Sequence, residues 1–387
     1  MELQHGRHLA YCTNIHRGET WAETFASLEQ SALAVRDRVS PHAPYAIGLR
    51  LSHMAALELE EPGKLLAFQR WLDRQNCYVF TINGFPYGQF HGTRVKEQVY
   101  APDWTTSERL TYTNRLCDLL AAILPPGMEG SVSTLPGSFK EFIRSPDQEQ
   151  RIFENLWSSI EHIARLNETS QCRLQLALEP EPLGLLENTA ETISFFHRLR
   201  ALRPKDSRAA KYLGVNYDTC HFAVAYEEPR QALAALKNAG IPISKIHLSS
   251  ALKTAPTPGA RAALKNFADD VYLHQVVARD LEGRLHYYRD LPEALAADPL
   301  MASEWRIHFH VPLHAPARLP FQNTNDHLLG ALDWLADNPG QCPHLEMETY
   351  TWEVLPPELK SRSVVEQLVA EYNWTLGRLT ERGLARR

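Results

Sequence analysis

Short apolar runs recur along the chain. Longer stretches separate them, in which apolar residues return every three or four positions. The first pattern predicts buried strands and the second amphipathic helices. Strands are expected over residues 8–13, 46–51, 78–82, 130–134, 173–178, 212–217, 245–248 and 344–349. Helices are expected over 20–38, 63–75, 106–124, 147–167, 189–202, 229–239 and 326–337. Capping chemistry supports these limits: Asn188-Thr189-Ala190-Glu191 stands ahead of Ile193 and Phe196 as a helix start should. Alternating strand and helix specifies a parallel sheet with crossover helices, and eight such units favour closure. The expected fold is therefore α/β, a single (β/α)8 TIM barrel spanning residues 1–387. A doubly wound sheet would want a glycine-rich phosphate loop after the first strand, and Cys12-Thr13-Asn14-Ile15-His16 is not one.

One region breaks the rhythm. Residues 249–343 separate the last two strand segments, far more than the roughly thirty residues of a βαβ unit. Within them, 270–278 and 284–289 flank Asp280-Leu281-Glu282-Gly283, the pattern of a β-hairpin. Residues 305–311, with His308 and His310, read as a further strand. The expectation is an insertion over 253–315, containing the hairpin, at the C-terminal mouth of the barrel. The alternative is that 305–311 is itself a barrel strand.

Composition narrows the function. The 387 residues are 44% hydrophobic and 22% charged, with a net charge of −6 and no long Lys/Arg cluster, which argues against nucleic acid. Six cysteines lie scattered without a Cys-x-x-Cys pair, as expected of reduced thiols in a cytoplasmic protein. No signal-peptide pattern opens the chain, and no segment approaches the roughly 18 apolar residues of a membrane span.

The chemistry gathers at the ends of the later strands, where barrels of this type build their active sites. Leu178-Glu179-Pro180-Glu181-Pro182 ends the fifth, Asp218-Thr219-Cys220-His221 the sixth, Ile246-His247-Leu248 lies in the seventh, and His344-Leu345-Glu346-Met347-Glu348 forms the eighth. Oxygen and nitrogen donors converging in this way suit a divalent cation such as Mn²⁺, Zn²⁺ or Mg²⁺. Glu179 is the first ligand candidate. Glu181, of the same strand parity, is the second, or holds a substrate hydroxyl. A lone histidine in an apolar strand is commonly a satisfied core residue, but the neighbouring strand ends favour a ligand role for His247. Glu346 and Glu348 share one face; one binds metal while the other serves as base or support, and sequence does not say which. Two such charges side by side raise one pKa, which suits proton transfer.

The loop 83–92, with Asn83, Phe85, Tyr87, Phe90 and His91, suits stacking on a ring-shaped or sugar-like ligand. After the fourth strand, Ser133, Thr134, Ser138 and Lys140 offer hydroxyls and a cation for a phosphate. His308 and His310 share a face and point to metal or substrate. No Gly-x-Ser-x-Gly elbow supports a serine hydrolase.

At these residues the chain resembles the xylose-isomerase-like (sugar phosphate isomerase/epimerase) TIM-barrel superfamily. That resemblance implies a divalent ion held by Glu179, Asp218, His247 and Glu346 or Glu348, with His221 as the adjacent site histidine. Over most of its length the chain also resembles the EboE family of metabolite traffic proteins. The resemblance rests on Tyr11-Cys12-Thr13-Asn14-Ile15-His16, Asn83-Gly84-Phe85-Pro86-Tyr87-Gly88, Leu178-Glu179-Pro180-Glu181-Pro182, His308-Phe309-His310-Val311-Pro312 and Glu348-Thr349-Tyr350-Thr351-Trp352. It implies a place in a secondary-metabolite gene cluster, alongside other proteins of that cluster, and no known reaction. The long insertion departs from ordinary sugar isomerases.

The reading these features support is isomerisation or epimerisation of a small oxygen-rich metabolite, with a cation clamping adjacent oxygens while a Glu moves the proton. Glu179, Asp218, His247 and Glu348 would hold the metal. Glu346 or Glu181 would be the acid/base, and His221 would orient substrate. Asn14, Asn83, His91, Lys140, His308 and His310 are the substrate-binding candidates. The rivals are a non-catalytic metabolite carrier that keeps the barrel, and a metal-dependent phosphoesterase.

Overall fold

Eight parallel strands follow one another around the molecule, seven in unbroken succession and the last after a long excursion. They are β1 (His8–Tyr11), β2 (Tyr45–Arg50), β3 (Cys77–Asn83), β4 (Glu129–Thr134), β5 (Arg173–Leu178), β6 (Leu213–Asp218), β7 (Ile243–Leu248) and β13 (His344–Met347). The excursion carries β8 (Leu252–Thr254), β9 (Val276–Asp280), β10 (Leu285–Tyr288), β11 (Ala302–Ile307) and β12 (Gln322–Asn323). The computed structural model describes residues 1–89, 91–92, 94–268, 270–297, 302–316, 318–354, 360 and 363–386.

The spatial order β1-β13-β7-β6-β5-β4-β3-β2 leaves one seam, between β1 and β2. A parallel bridge between Cys12 and Gly48 crosses it, and the Arg50 backbone N–H donates to Thr13 Oγ1 at 2.8 Å. The strands therefore form a nearly closed (β/α)8 barrel. Among the described residues, no helix is long and apolar enough to cross a membrane.

The apolar core lies between the strands and the surrounding helices. Outward-pointing Leu9, Ile47, Leu176, Val215, Ile246 and Leu345 pack there with residues such as Trp157 and Phe196. An eighth helix, Val364–Glu381, which the sequence reading did not assign, completes the ring with Leu368, Tyr372 and Leu379 buried. Its start was legible, since Ser363 caps it by accepting from Glu366 N–H.

The lumen is built differently. Barrel interiors are usually filled by branched aliphatic side chains, yet here polar groups bond across it. At one end His8 meets the Tyr78 hydroxyl at 2.9 Å, and His344 meets Ser131 Oγ at 2.8 Å. Higher up, Lys245 donates to Ser133 Oγ at 3.0 Å. Ala10, Ala46 and Phe80 add a small apolar cluster at the same end, and the buried polar groups above it have to be satisfied one by one.

The excursion forms a five-stranded sheet of order β10-β9-β11-β8-β12 with its own small core around Phe267, Trp305 and Phe309. β9 and β10 pair antiparallel about Gly283 (φ 85°), and β11 pairs with β9 and β8 rather than with any barrel strand. His308 and His310 lie just beyond the end of β11.

Candidate metal centre

On β6, β7 and β13 the chemistry comes in pairs two residues apart: Asn216 and Asp218, Lys245 and His247, Glu346 and Glu348. Alternation puts both members of a pair on one face, and buried polar contacts show that this face is the lumen. The second member of each pair reaches the C-terminal mouth, with the first beneath it. Glu179, the residue after β5, joins the upper tier; its N–H donates to Thr134 O at 3.0 Å.

Donor atoms of Glu179, Asp218, His247 and Glu348 all lie within 4.8 Å of one another, and all four side chains are buried. His247 Nδ1 is 3.2 Å from Glu179 Oε1, 3.4 Å from Asp218 Oδ2 and 3.1 Å from Glu348 Oε2. Donors held about 2.1 Å from one cation stand about 3.0 Å apart in an octahedron and about 3.4 Å apart in a tetrahedron. The observed spacing fits a shared divalent ion. So does the charge. Burial opposes a proton on His247, yet Glu348 and Glu179 outweigh it and hold the imidazole well above its usual pKa. Asp218, likewise opposed by burial, is pulled well below the carboxylate range by His221, His310 and His247, while its Oδ2 finds no hydrogen-bond partner. A single N–H cannot serve three carboxylates; a compact dication can.

The lower tier aims the upper one. His247 Nε2 donates to Glu346 Oε2 at 2.8 Å, and that oxygen also accepts from Lys245 Nζ at 2.6 Å. This fixes the imidazole with Nδ1 turned to the donor cluster, the orientation a carboxylate gives a metal-ligating histidine. Burial pushes Glu346 up, but Lys245 and His247 pull harder and leave its pKa at about 2. Of the two glutamates, Glu346 sits beneath His247 and bonds it, and does not line the cavity, whereas Glu348 does. Gly48 makes room for it, since a Cβ there would stand 2.1 Å from Glu346 Oε1 and 2.6 Å from Tyr11 O. Asn216 Nδ2 similarly braces Glu179 Oε2 at 2.8 Å.

Above the donors lies a small cavity, with Glu179, Glu181, His221 and Glu348 on the barrel side. Burial and then the neighbouring Glu179 raise the Glu181 pKa well above its usual value. Burial lowers His221.

The substrate-binding candidates separate. Asn14 and Asn83 line the cavity and donate to Glu348 Oε1 at 2.8 and 3.2 Å, leaving Oε2 for the cluster. His308 lines it as well, whereas His310 and His91 stand behind. His91 bonds the Tyr272 hydroxyl at 2.6 Å and Asn14 O at 2.5 Å, bracing two lining residues. Lys140 is not brought to the cavity: it pairs with Glu187 and with Glu191, the latter at 2.9 Å. From the loop 83–92, Phe85 and Pro86 reach the cavity, while Phe90 lies outside the described residues.

Sequence reasoning missed Lys245 and Asn216, although each stands two residues before a ligand candidate and shares its parity. It also missed Tyr272 and Gln275, which line the cavity from the excursion and carry no periodic signal.

The chain matches no family model and no curated protein sequence. Three solved structures share its fold over nearly the whole length. One is the probable 3-DHS dehydratase AsbF, involved in petrobactin synthesis, from Bacillus anthracis (13% identity, TM-score 0.51, covering 97% of this chain and 98% of that one). Another is the IOLI protein with a binding zinc atom (12%, 0.50, 97% and 98%). The third is L-ribulose 3-epimerase (12%, 0.50, 99% and 95%). At that identity the likeness shows the fold alone, a (β/α)8 barrel.

Proposed function

We propose that this protein is a divalent-metal-dependent isomerase or epimerase of a small polyhydroxylated metabolite. The observation that carries the reading is the convergence of Glu179, Asp218, His247 and Glu348 on one point at the base of a small cavity, with Glu181 beside them. The ion, when bound there, supplies Lewis-acid polarisation of the substrate's hydroxyl and carbonyl oxygens. The remaining work falls to side chains. Glu181 gives and takes the proton at the carbon next to the carbonyl, a role its raised pKa suits. His221, anchored by donating from Nδ1 to Pro180 O at 3.0 Å, orients a substrate oxygen. Asn14 and Asn83 keep Glu348 in place, and Phe85 with Tyr350 gives an apolar edge that excludes water.

On this reading the chain is one cytoplasmic domain, and residues 253–315 form the insertion at its mouth. The substrate belongs to a secondary-metabolite precursor, handled beside other proteins of its gene cluster. The EboE-like motifs support that placement, because Asn14, Asn83, Glu179, Glu181, His308 and Glu348 from them line the cavity. The test is solvent deuterium incorporation at the carbinol carbon of ketose, aldose and cyclitol panels, with Mn²⁺-, Zn²⁺- and Mg²⁺-loaded protein. Incorporation that is lost in Glu181→Gln while metal stays bound supports the reading. Metal bound at the base without exchange on any compound overturns it and leaves a carrier.

A further inference from the structure

Buried tyrosine hydroxyls find hydrogen-bond partners in folded proteins, and several in this chain follow the rule. Tyr11 bonds His16, Tyr78 bonds His8, Tyr112 donates to Leu51 O, and Tyr217 bonds His327. Tyr100 departs from it. The residue is 1% exposed, its hydroxyl has no hydrogen-bond partner, and it lines the cavity above the carboxylate cluster.

Packing holds this ring. It stands at the end of the short helix Lys96–Tyr100, its centre 4.9 Å from that of Phe139 and 5.6 Å from that of Phe85. The N–H groups of Val95 and Lys96 donate to Val271 O at 3.0 and 3.1 Å, which ties the turn to the excursion. The phenolic oxygen lies on the ring axis, so whatever fixes the ring fixes the oxygen. That oxygen stands beside Glu181, whose charge adds to burial in raising the Tyr100 pKa well above its usual value.

Two further buried atoms on the same wall lack partners, Asn14 Oδ1 and Glu181 Oε1. Asn14 Nδ2 donates to Glu348 Oε1 at 2.8 Å, so its Oδ1 can only accept. Leaving buried polar groups unmet is costly, and a ligand able both to donate and to accept would meet all three. A hydroxyl does so. A phosphate or carboxylate brings acceptors alone, and Lys96 on this wall already holds Asp290 Oδ2 at 2.7 Å.

We propose that Tyr100 is a specificity-determining residue: its hydroxyl donates to a free hydroxyl oxygen of an uncharged polyol, whose own proton turns to Glu181 Oε1. The inference rests on the cavity being the substrate site proposed above, and not on the reaction carried out there.

The test is equilibrium binding of L-ribulose, D-xylulose and myo-inositol to the Mg²⁺-loaded full chain. Each is compared with its singly deoxygenated and its phosphorylated counterparts, in the wild type and in Tyr100→Phe. The wild type should prefer a parent compound over the analogue deoxygenated at one position by roughly 10-fold or more, and should bind the phosphate ester no more tightly. Tyr100→Phe should lose that one preference and keep those at the other positions. A preference that survives in full in Tyr100→Phe overturns the proposal, and so does tighter binding of the phosphate ester. Thermal unfolding adds a reading that needs no ligand. Tyr100→Phe should melt at or above the wild-type midpoint, since no bond is lost; a clearly lower midpoint means that the hydroxyl is bonded within the protein, and overturns the proposal. Preferential binding without deuterium exchange would sink the isomerase reading and leave this one intact. Exchange with the same preferences in both proteins would do the reverse, and failure of every compound to bind would refute both.

Discussion

The base and the wall of the cavity hold similar ligand atoms by different means. At the base, each donor from β6, β7 or β13 stands two residues above a partner on its own strand, and those partners bond sideways: Asn216 to Glu179, Glu346 to His247, Lys245 to Glu346. On the wall, His308 and His310 have no such tier beneath them and borrow oxygens from other segments, Gln275 and Glu348. A strand delivers a ligand and its support together because its side chains repeat every second residue. Irregular chain has no such period, and its support comes from wherever the fold brings an acceptor.

The comparison breaks most sharply at Lys245. Lys245→Met leaves the Glu346 carboxylate buried without its cation, and removing one partner of a buried pair costs about 3–5 kcal/mol. Urea unfolding should show that loss in the single variant and recover most of it in Lys245→Met/Glu346→Gln. A single-variant loss below about 1 kcal/mol would mean the tiers are not coupled.

Base and wall are joined at Glu371 on the last helix, which accepts from Leu313 N–H at 3.1 Å and Thr349 Oγ1 at 2.8 Å. Burial raises its pKa from 4.5 to about 7 against those two bonds. The folded-state value lies above the unfolded one, so its contribution is fully present below pH 4.5 and is lost as pH rises through about 7. The loss over that window is roughly 3 kcal/mol. Glu371→Gln should flatten this part of the stability–pH curve between pH 5 and pH 8; an unchanged slope would place its pKa in the ordinary range.

Smaller changes sharpen the distinction. Asn216→Ala should weaken Mn²⁺ binding at the base by roughly 10- to 100-fold, whereas Gln275→Ala, which frees His308 on the wall, should leave it unchanged. Dialysis of each variant against Mn²⁺ decides it, and an equal loss in both would mean that the two supports are coupled. The smallest effect belongs to Lys140. With its side chain 35% exposed, its ion pairs contribute less than about 1 kcal/mol, and Lys140→Ala should leave Mn²⁺ affinity at the base unchanged.

How much of this was legible follows the same division. The alternation of apolar runs with helical patterns implied the barrel, since burial on both faces of a parallel sheet leaves a strong trace in sequence. Parity at the strand ends pointed to Glu179, Asp218, His247 and one of Glu346 and Glu348 as one group, because a strand fixes which residues share a face. It left Glu346 and Glu348 equivalent: only depth in the lumen separates a carboxylate beside Lys245 from one at the mouth. Lys140 offered a free cation until folding set it against Glu187 and Glu191. Nothing local in His308 or His310 specifies that their Nε2 atoms meet, since Gln275 and Glu348 supply the orienting oxygens from distant parts of the chain. Sequence by itself determined the elements and the faces they present, which depend on short-range periodicity. The tertiary structure alone decided which polar groups are paired, which stay open and which reach the cavity, because those depend on distances across the barrel that no local pattern encodes.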